Sequence, residues 1–125
     1  MARRHEDLIA WQLADRLKTL VYDLTDSPRI RSDFKFRDQI RDAAGSGTRN
    51  VAEGFGRYRH KEFANLVSIA RASVHEVKDL LSDGVKRRHW QATDVSEAVN
   101  LCYRASKAMV GLIRYLRRTP DPPLD

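Results

Sequence analysis

Short runs of arginine and lysine are the residues of this chain whose chemistry is easiest to interpret. One run contains Arg57, Arg59 and Lys61, and another is Lys86-Arg87-Arg88, followed by His89. Guanidinium and ammonium groups bind phosphate because they displace condensed counterions, and an arginine holds two phosphate oxygens at once. These runs therefore predict contact with a nucleic-acid backbone or another polyanion.

The positive charge is unevenly spread along the 125 residues, whose net charge is +6. Residues 29–61 hold nine Lys and Arg against four acids, and residues 84–125 hold eight against four. Tyr58 and Trp90 lie beside the basic runs and could stack on unpaired bases. A plainer interpretation, with solvated charges and aromatics that cap the core, stays open. The candidate phosphate contacts are Arg3, Arg4, Arg57, Arg59, Lys61, Lys86, Arg87, Arg88, Arg114, Arg117 and Arg118.

No catalytic or metal-binding constellation is recognisable. Cys102 is the single cysteine and lies in an apolar stripe, so no disulfide can form within the chain and no base can be placed beside the thiol. His75 and Asp79 lie one helical turn apart, but two ligands do not make a metal site. Gly45-Ser46-Gly47 lacks the preceding strand and the lysine of a phosphate-binding loop. We expect no enzymatic activity, no metal and no cofactor; a small hydrolase would need a nucleophile and base that the sequence does not show.

Four amphipathic segments must position the basic residues. Apolar side chains recur every three or four positions over residues 7–25, 33–54, 61–82 and 94–117, and residues 119–125 are expected to form a disordered tail. Helices of this length with short connections favour a single all-α domain over residues 1–125, an up-down-up-down four-helix bundle. The N-terminus, the connection between the second and third helices, and the C-terminus would then meet at one end, called here the shared end.

The bundle topology predicts positive charge at both ends and a more balanced middle. Glycines mark expected helix ends: Gly54 and Gly56 suit a left-handed terminus, and Gly84 is expected to stop the third helix. Polar residues near the helix seams predict a hydrogen-bonded network that fixes helix register or a subunit interface. These residues are Asn50, Glu53, Arg57, Ser73 and Glu76.

The sequence favours a cytoplasmic protein. No apolar run approaches the roughly 18 residues of a membrane span. The basic N-terminus lacks the continuous apolar segment of a signal peptide, and a lone cysteine fits a reducing compartment.

Several short motifs resemble one protein family. They are His5 to Gln12 (HEDLIAWQ), Gln39 to Ala44 (QIRDAA, with Arg41), Asn50 to Arg57 (NVAEGFGR, with Glu53 and Gly54), Lys61 to Phe63, and Ser73 to Glu76. Together they resemble the four-helix bundle proteins associated with intervening sequences of 23S ribosomal RNA genes, over about residues 5–116. That family is similar in fold to the accessory variability determinant of diversity-generating retroelements.

The resemblance implies a homopentameric ring of four-helix bundles that acts through nucleic acid or a nucleic-acid-processing enzyme. Where the family usually has an apolar residue, proline and serine before Asn50, this chain has Gly47, Thr48 and Arg49. The leading hypothesis is a non-enzymatic oligomer whose basic bundle ends bind RNA or DNA. The alternative is a scaffold that binds an acidic protein or a reverse transcriptase without touching nucleic acid. Neither hypothesis involves a membrane.

Overall fold

The computed structural model describes residues 2–124, so Met1 and Asp125, the ends of the expected domain and tail, lie outside it. Every regular element among these residues is helical, which confirms the all-α prediction. Short 3-10 turns occupy His5–Asp7 and Ala92–Val95. The α-helices are α1 (Ile9–Leu24), α2 (Pro28–Arg31), α3 (Phe34–Phe55), α4 (His60–Lys86) and α5 (Ser96–Arg118). None of these helices is long and apolar enough to cross a membrane.

The four long helices form a closed bundle in which each helix packs against two others. Helices α1 and α4 lie diagonally opposite, and each contacts both α3 and α5. Residues in contact along α3 and α4 run in opposite directions, since Gln39 meets Glu76 and Ser46 meets Ser73. The neighbours are therefore antiparallel, and the N-terminus, the α3–α4 connection and the C-terminus lie at the shared end.

The apolar stripes of the four helices meet in one core. Leu17, Ile40, Val67, Leu81 and Met109 are each at most 1% exposed, and they come from all four long helices. Burial of each such side chain contributes about 1.5–3 kcal/mol relative to leaving it in water. The small residues on α3 face α4 and α1: a methyl group added at Gly47 would make ordinary van der Waals contacts, 3.5 Å from Val74 and 3.8 Å from Ala14.

Glycines near the helix ends act through the space that they leave free, which corrects the expected left-handed termini at Gly54 and Gly56. No described glycine has a positive φ angle, and α3 continues to Phe55. A side chain at Gly54 would lie 2.6 Å from Cδ1 of Phe63, so this glycine lets the first turn of α4 approach α3.

The end of α4 also differs from the sequence prediction, which stopped this helix near Gly84. The helix runs on to Lys86, and the left-handed residue is Arg88, with φ of 64°. Amide groups of Arg88 and His89 donate to the carbonyls of Val85 and Gly84, the pattern of a Schellman cap. Gly84 lies inside the helix because the Trp90 ring packs directly over it, and Trp90 Nε1 donates to the Leu24 carbonyl at 3.0 Å.

We expect Gly84→Ala to destabilise the protein and Gly111→Ala to stabilise it. A methyl group at Gly84 would lie 2.7 Å from Cε3 of Trp90 and 3.0 Å from Phe36, whereas nothing lies within 4 Å of the corresponding position at Gly111. Overpacking costs about 1–3 kcal/mol, which exceeds the helix-propensity gain of up to about 1 kcal/mol. Urea unfolding at one protein concentration measures both free energies; a stabilising Gly84→Ala would contradict the packing described.

Candidate nucleic-acid interface

At the end of the bundle opposite the shared end, part of the positive charge is neutralised within the chain. Arg87 pairs with Asp33 and Asp83, at 2.9 Å in each case, and its guanidinium lies over the Phe36 ring. His89, whose side chain is 8% exposed, places Nε2 2.8 Å from the same Asp33 oxygen. The carboxylate of Asp33 therefore joins the start of α3 to the connection after α4.

The electrostatics of Asp33 follow from these contacts. The hydrogen bond from His89 and then the pairing with Arg87 lower the pKa of Asp33 below its ordinary value of 3.8. The two carboxylates in turn raise the pKa of Arg87. Of the basic run predicted here to bind phosphate, only Lys86 and Arg88 have no acidic partner within residues 2–124.

At the shared end, the residues after α5 fold back over the α3–α4 connection. The expected disordered tail thus differs from the structure over residues 119–122. The Tyr58 hydroxyl donates to the Pro122 carbonyl, and His60 Nδ1 lies 2.9 Å from the Thr119 carbonyl oxygen. The His60 amide donates to Asp121 Oδ1 at 2.8 Å. The contact with Asp121 forms because α4 begins with free amide groups that donate to a carboxylate.

Most cations of the shared end have no acidic partner in the part of the chain that the structure describes. Arg57 is the exception, since it pairs with Glu53 one turn earlier at 2.9 Å. The others are exposed side chains with no carboxylate within ion-pair distance among residues 2–124. They are Arg3, Arg4, Arg59, Lys61, Arg114, Arg117 and Arg118.

A second basic surface, which the sequence analysis missed, lies along the side of the bundle between α4 and α5. Arg71 and Lys78 of α4 face Ser106 and Tyr103 of α5, and Lys107 lies beside them. In the sequence, the i, i+4, i+7 spacing of Arg71, His75 and Lys78 indicates that these three residues share one face of a helix. The middle of the bundle was expected to be balanced because residues 62–83 are slightly acidic overall. Net charge along the chain does not reveal which helical face meets which neighbour.

The predicted polar network exists in part, at the contact between α3 and α4. Ser46 and Ser73 share a hydrogen bond of 2.7 Å, and Asn50 Nδ2 donates to the carbonyl and hydroxyl oxygens of Ser46. Gln39 donates to Glu76 at 3.3 Å further along the same seam. Glu53 and Arg57 pair with each other instead of joining this network. A role in a subunit interface stays a prediction for these residues.

Arg41 joins α3 to the end of α1. Its Nε donates to the buried hydroxyl of Thr25 at 2.7 Å, and its guanidinium lies 4.7 Å from the centre of the Tyr22 ring. Arg49 folds over Gly45 and approaches Asp42 at 3.4 Å.

Groups that could perform chemistry are dispersed. Cys102 is buried, which raises the pKa of its thiol to about 12 and keeps it neutral. His75 contacts Ser106 at 3.2 Å. Within residues 2–124, no group of three or more His, Cys, Asp and Glu residues is arranged to hold a metal ion.

A family model described as 23S rRNA-intervening sequence protein matches residues 6–111. The chain belongs to this family. The match confirms the resemblance drawn from the motifs. The matched residues include the whole α3–α4 network and the basic residues between α4 and α5, the last of which is Lys107. Arg114, Arg117 and Arg118 lie beyond the matched residues in this 23S rRNA-intervening sequence protein family member. No curated protein matches the sequence significantly.

The Asp33 cluster predicts a specific dependence of stability on pH. Because the folded-state pKa of Asp33 is depressed, its stabilising contribution is complete above the unfolded value near 3.8 and is lost as pH falls through the folded pKa. We expect Asp33→Asn to lower the thermal midpoint at pH 7, with the gap to the wild type narrowing below pH of about 4.

Asp42→Asn is the control, because its carboxylate is exposed and, within the described part of the chain, pairs with Arg49 alone, at 3.4 Å. It should leave the midpoint at pH 7 nearly unchanged. A gap between Asp33→Asn and the wild type that stays constant from neutral to acid pH would contradict the role of Asp33.

Proposed function

We propose that this protein is a non-enzymatic accessory protein that assembles as a homopentameric ring and binds RNA or DNA through its basic surfaces. The observation that carries the proposal is the set of exposed cations at the shared end that have no acidic partner within residues 2–124. A protein leaves such charges unpaired at a cost in self-repulsion, which a bound polyanion relieves. Membership of the 23S rRNA-intervening sequence protein family supports a setting close to nucleic acid.

The arrangement of the charges favours a nucleic acid over a compact acidic protein. The cations of the shared end continue into the α4–α5 side, where α4 alone spans 27 residues, or roughly 40 Å at the helical rise. A phosphate backbone presents charge at regular intervals over such a distance and needs no matching surface shape. Exposed rings at the same surface, Tyr58 and Tyr115, add places for bases to stack.

The proposed ring is supported by apolar side chains left on the surface of one bundle. Ile9 is 66% exposed, Phe34 is 59% exposed, and Ile69 is 50% exposed beside Ser73 on α4. The sequence predicts a structural or interface role for six residues, Arg41, Asn50, Glu53, Gly54, Ser73 and Glu76. Within the bundle several of them already align α3 with α1 and α4, so a subunit packed there would meet a preorganised surface.

The binding experiment is a filter or anisotropy assay at two salt concentrations. A triple variant should bind more weakly and show a smaller slope of log affinity against log salt, by about 0.7–0.9 for each phosphate that it no longer neutralises. Its changes are Arg114→Gln, Arg117→Gln and Arg118→Gln. The control, Arg16→Gln, Arg29→Gln, Lys35→Gln, removes equal charge from exposed residues elsewhere. Equal weakening by both triples would contradict a localised interface.

Failure of the wild type to bind at either salt concentration would contradict nucleic-acid binding altogether. The scaffold hypothesis would then gain support if a defined acidic partner protein were captured from nuclease-treated extract.

The oligomeric state is tested separately by light scattering. The ring predicts a mass about five times the chain mass of 14.4 kDa, unchanged on moderate dilution. Ile69→Glu should shift the protein toward the monomer if this part of α4 lies in the contact, because an unpaired charge cannot be buried at low cost. A monomer mass for the wild type would exclude the ring.

A further inference from the structure

The groove between the middle of α4 and the middle of α5 concentrates positive charge that no carboxylate lines. Its volume is about 300 Å³, and Val74 and Cys102 form its floor. The rim consists of Arg71, His75, Lys78, Tyr103, Ser106 and Lys107. The groove thus brings three cations and a histidine together at one surface of the bundle, while Asp79, the residue after Lys78, acts on Lys78 from outside the groove lining.

Ser106 positions Arg71 and His75 in this groove. Arg71 Nε donates to Ser106 Oγ at 3.2 Å, and His75 Nε2 lies 3.2 Å from the same oxygen. The two terminal nitrogens of Arg71 have no acceptor among residues 2–124, so the fork that binds phosphate in two places remains available. A serine hydroxyl fixes the arginine without neutralising it.

Tyr103 adds an aromatic surface to the groove. Its ring is 59% exposed, and Lys78 Nζ lies 4.5 Å from the ring centre. The contact with Tyr103 raises the pKa of Lys78, so this ammonium stays charged. Below them the thiol of Cys102 is neutral, since burial raises its pKa to about 12. The floor therefore supplies no negative charge to balance the rim.

We propose that this groove binds one phosphodiester of an unpaired nucleic-acid strand, held by Arg71 and Lys107, while the neighbouring base stacks on Tyr103. The proposal rests on the proposed function and names its substrate class. Unpaired strands fit best because their bases are free to stack on an aromatic side chain, whereas duplex bases are already stacked on each other. A purely structural link between α4 and α5 would need only Arg71 and Ser106; Lys78 and Lys107 add repulsion that an anion relieves.

The test compares anisotropy titrations of a labelled single-stranded oligouridylate of about 15 nucleotides with those of a duplex of equal length. Arg71→Gln should weaken single-strand binding about tenfold, the loss expected for one charge-assisted hydrogen bond. Tyr103→Leu should weaken it at least about fivefold, while Tyr103→Phe keeps near wild-type affinity because the ring is retained. Tyr103→Leu and Arg71→Gln should each weaken duplex binding less than they weaken single-strand binding.

Arg16→Gln is the matched control for charge, since Arg16 is exposed in the groove between α1 and α5 that Asp15, Asp23 and Glu97 line. Circular dichroism melts of each variant confirm the fold. If the wild type binds but Arg71→Gln binds no more weakly than Arg16→Gln, the groove proposal is wrong and the proposed function stands. Absence of wild-type binding would overturn both. Displacement of the strand by inorganic phosphate as effectively as by uridine monophosphate would assign the groove to free phosphate and overturn the proposal.

Discussion

The close antiparallel packing of α4 between α3 and α5 is the constraint on which the rest of the structure depends. On its α3 side, α4 meets small residues, and Gly54 leaves the space that Phe63 fills. On its α5 side, α4 covers Cys102 and brings Arg71 to Ser106. Because side chains along a helix have fixed angular positions, this packing decides which polar residues are joined and which cations stay exposed.

The two ends of the bundle use their charges differently for a physical reason. Opposite the shared end, Asp33 lies beside both Arg87 and His89, and the chain reversal after α4 buries Trp90 against Gly84. Positive charge there helps to hold a connection in place. At the shared end, Asp121 accepts a hydrogen bond from the amide of His60, and it lies within ion-pair distance of no arginine among residues 2–124. Unpaired positive charge therefore accumulates at this end and along the adjoining α4–α5 side.

The helices and the all-α class could be predicted from the sequence because apolar residues recur at helical spacing over long segments. The end of α4 could not, since Gly84 is typical of a helix terminus and only the packing of Trp90 and Phe36 against it explains its place within the helix. Likewise, sequence spacing put Arg71, His75 and Lys78 on one face of α4. Only the packing of α5 showed that Ser106 and Lys107 complete a groove there. Local propensity predicts elements, whereas contacts between distant residues decide the site.

The central claim is that an unpaired nucleic-acid strand lies along the surface formed by the shared end and the α4–α5 side. Photo-crosslinking of a thiouridine-containing oligonucleotide, followed by mass spectrometry of the crosslinked peptides, tests this claim most directly. The account predicts adducts on peptides from α4 and α5 and from the shared end, with Tyr103 among the modified residues. Adducts concentrated on α1 and α3, or none above the level of an unrelated basic protein, would contradict it.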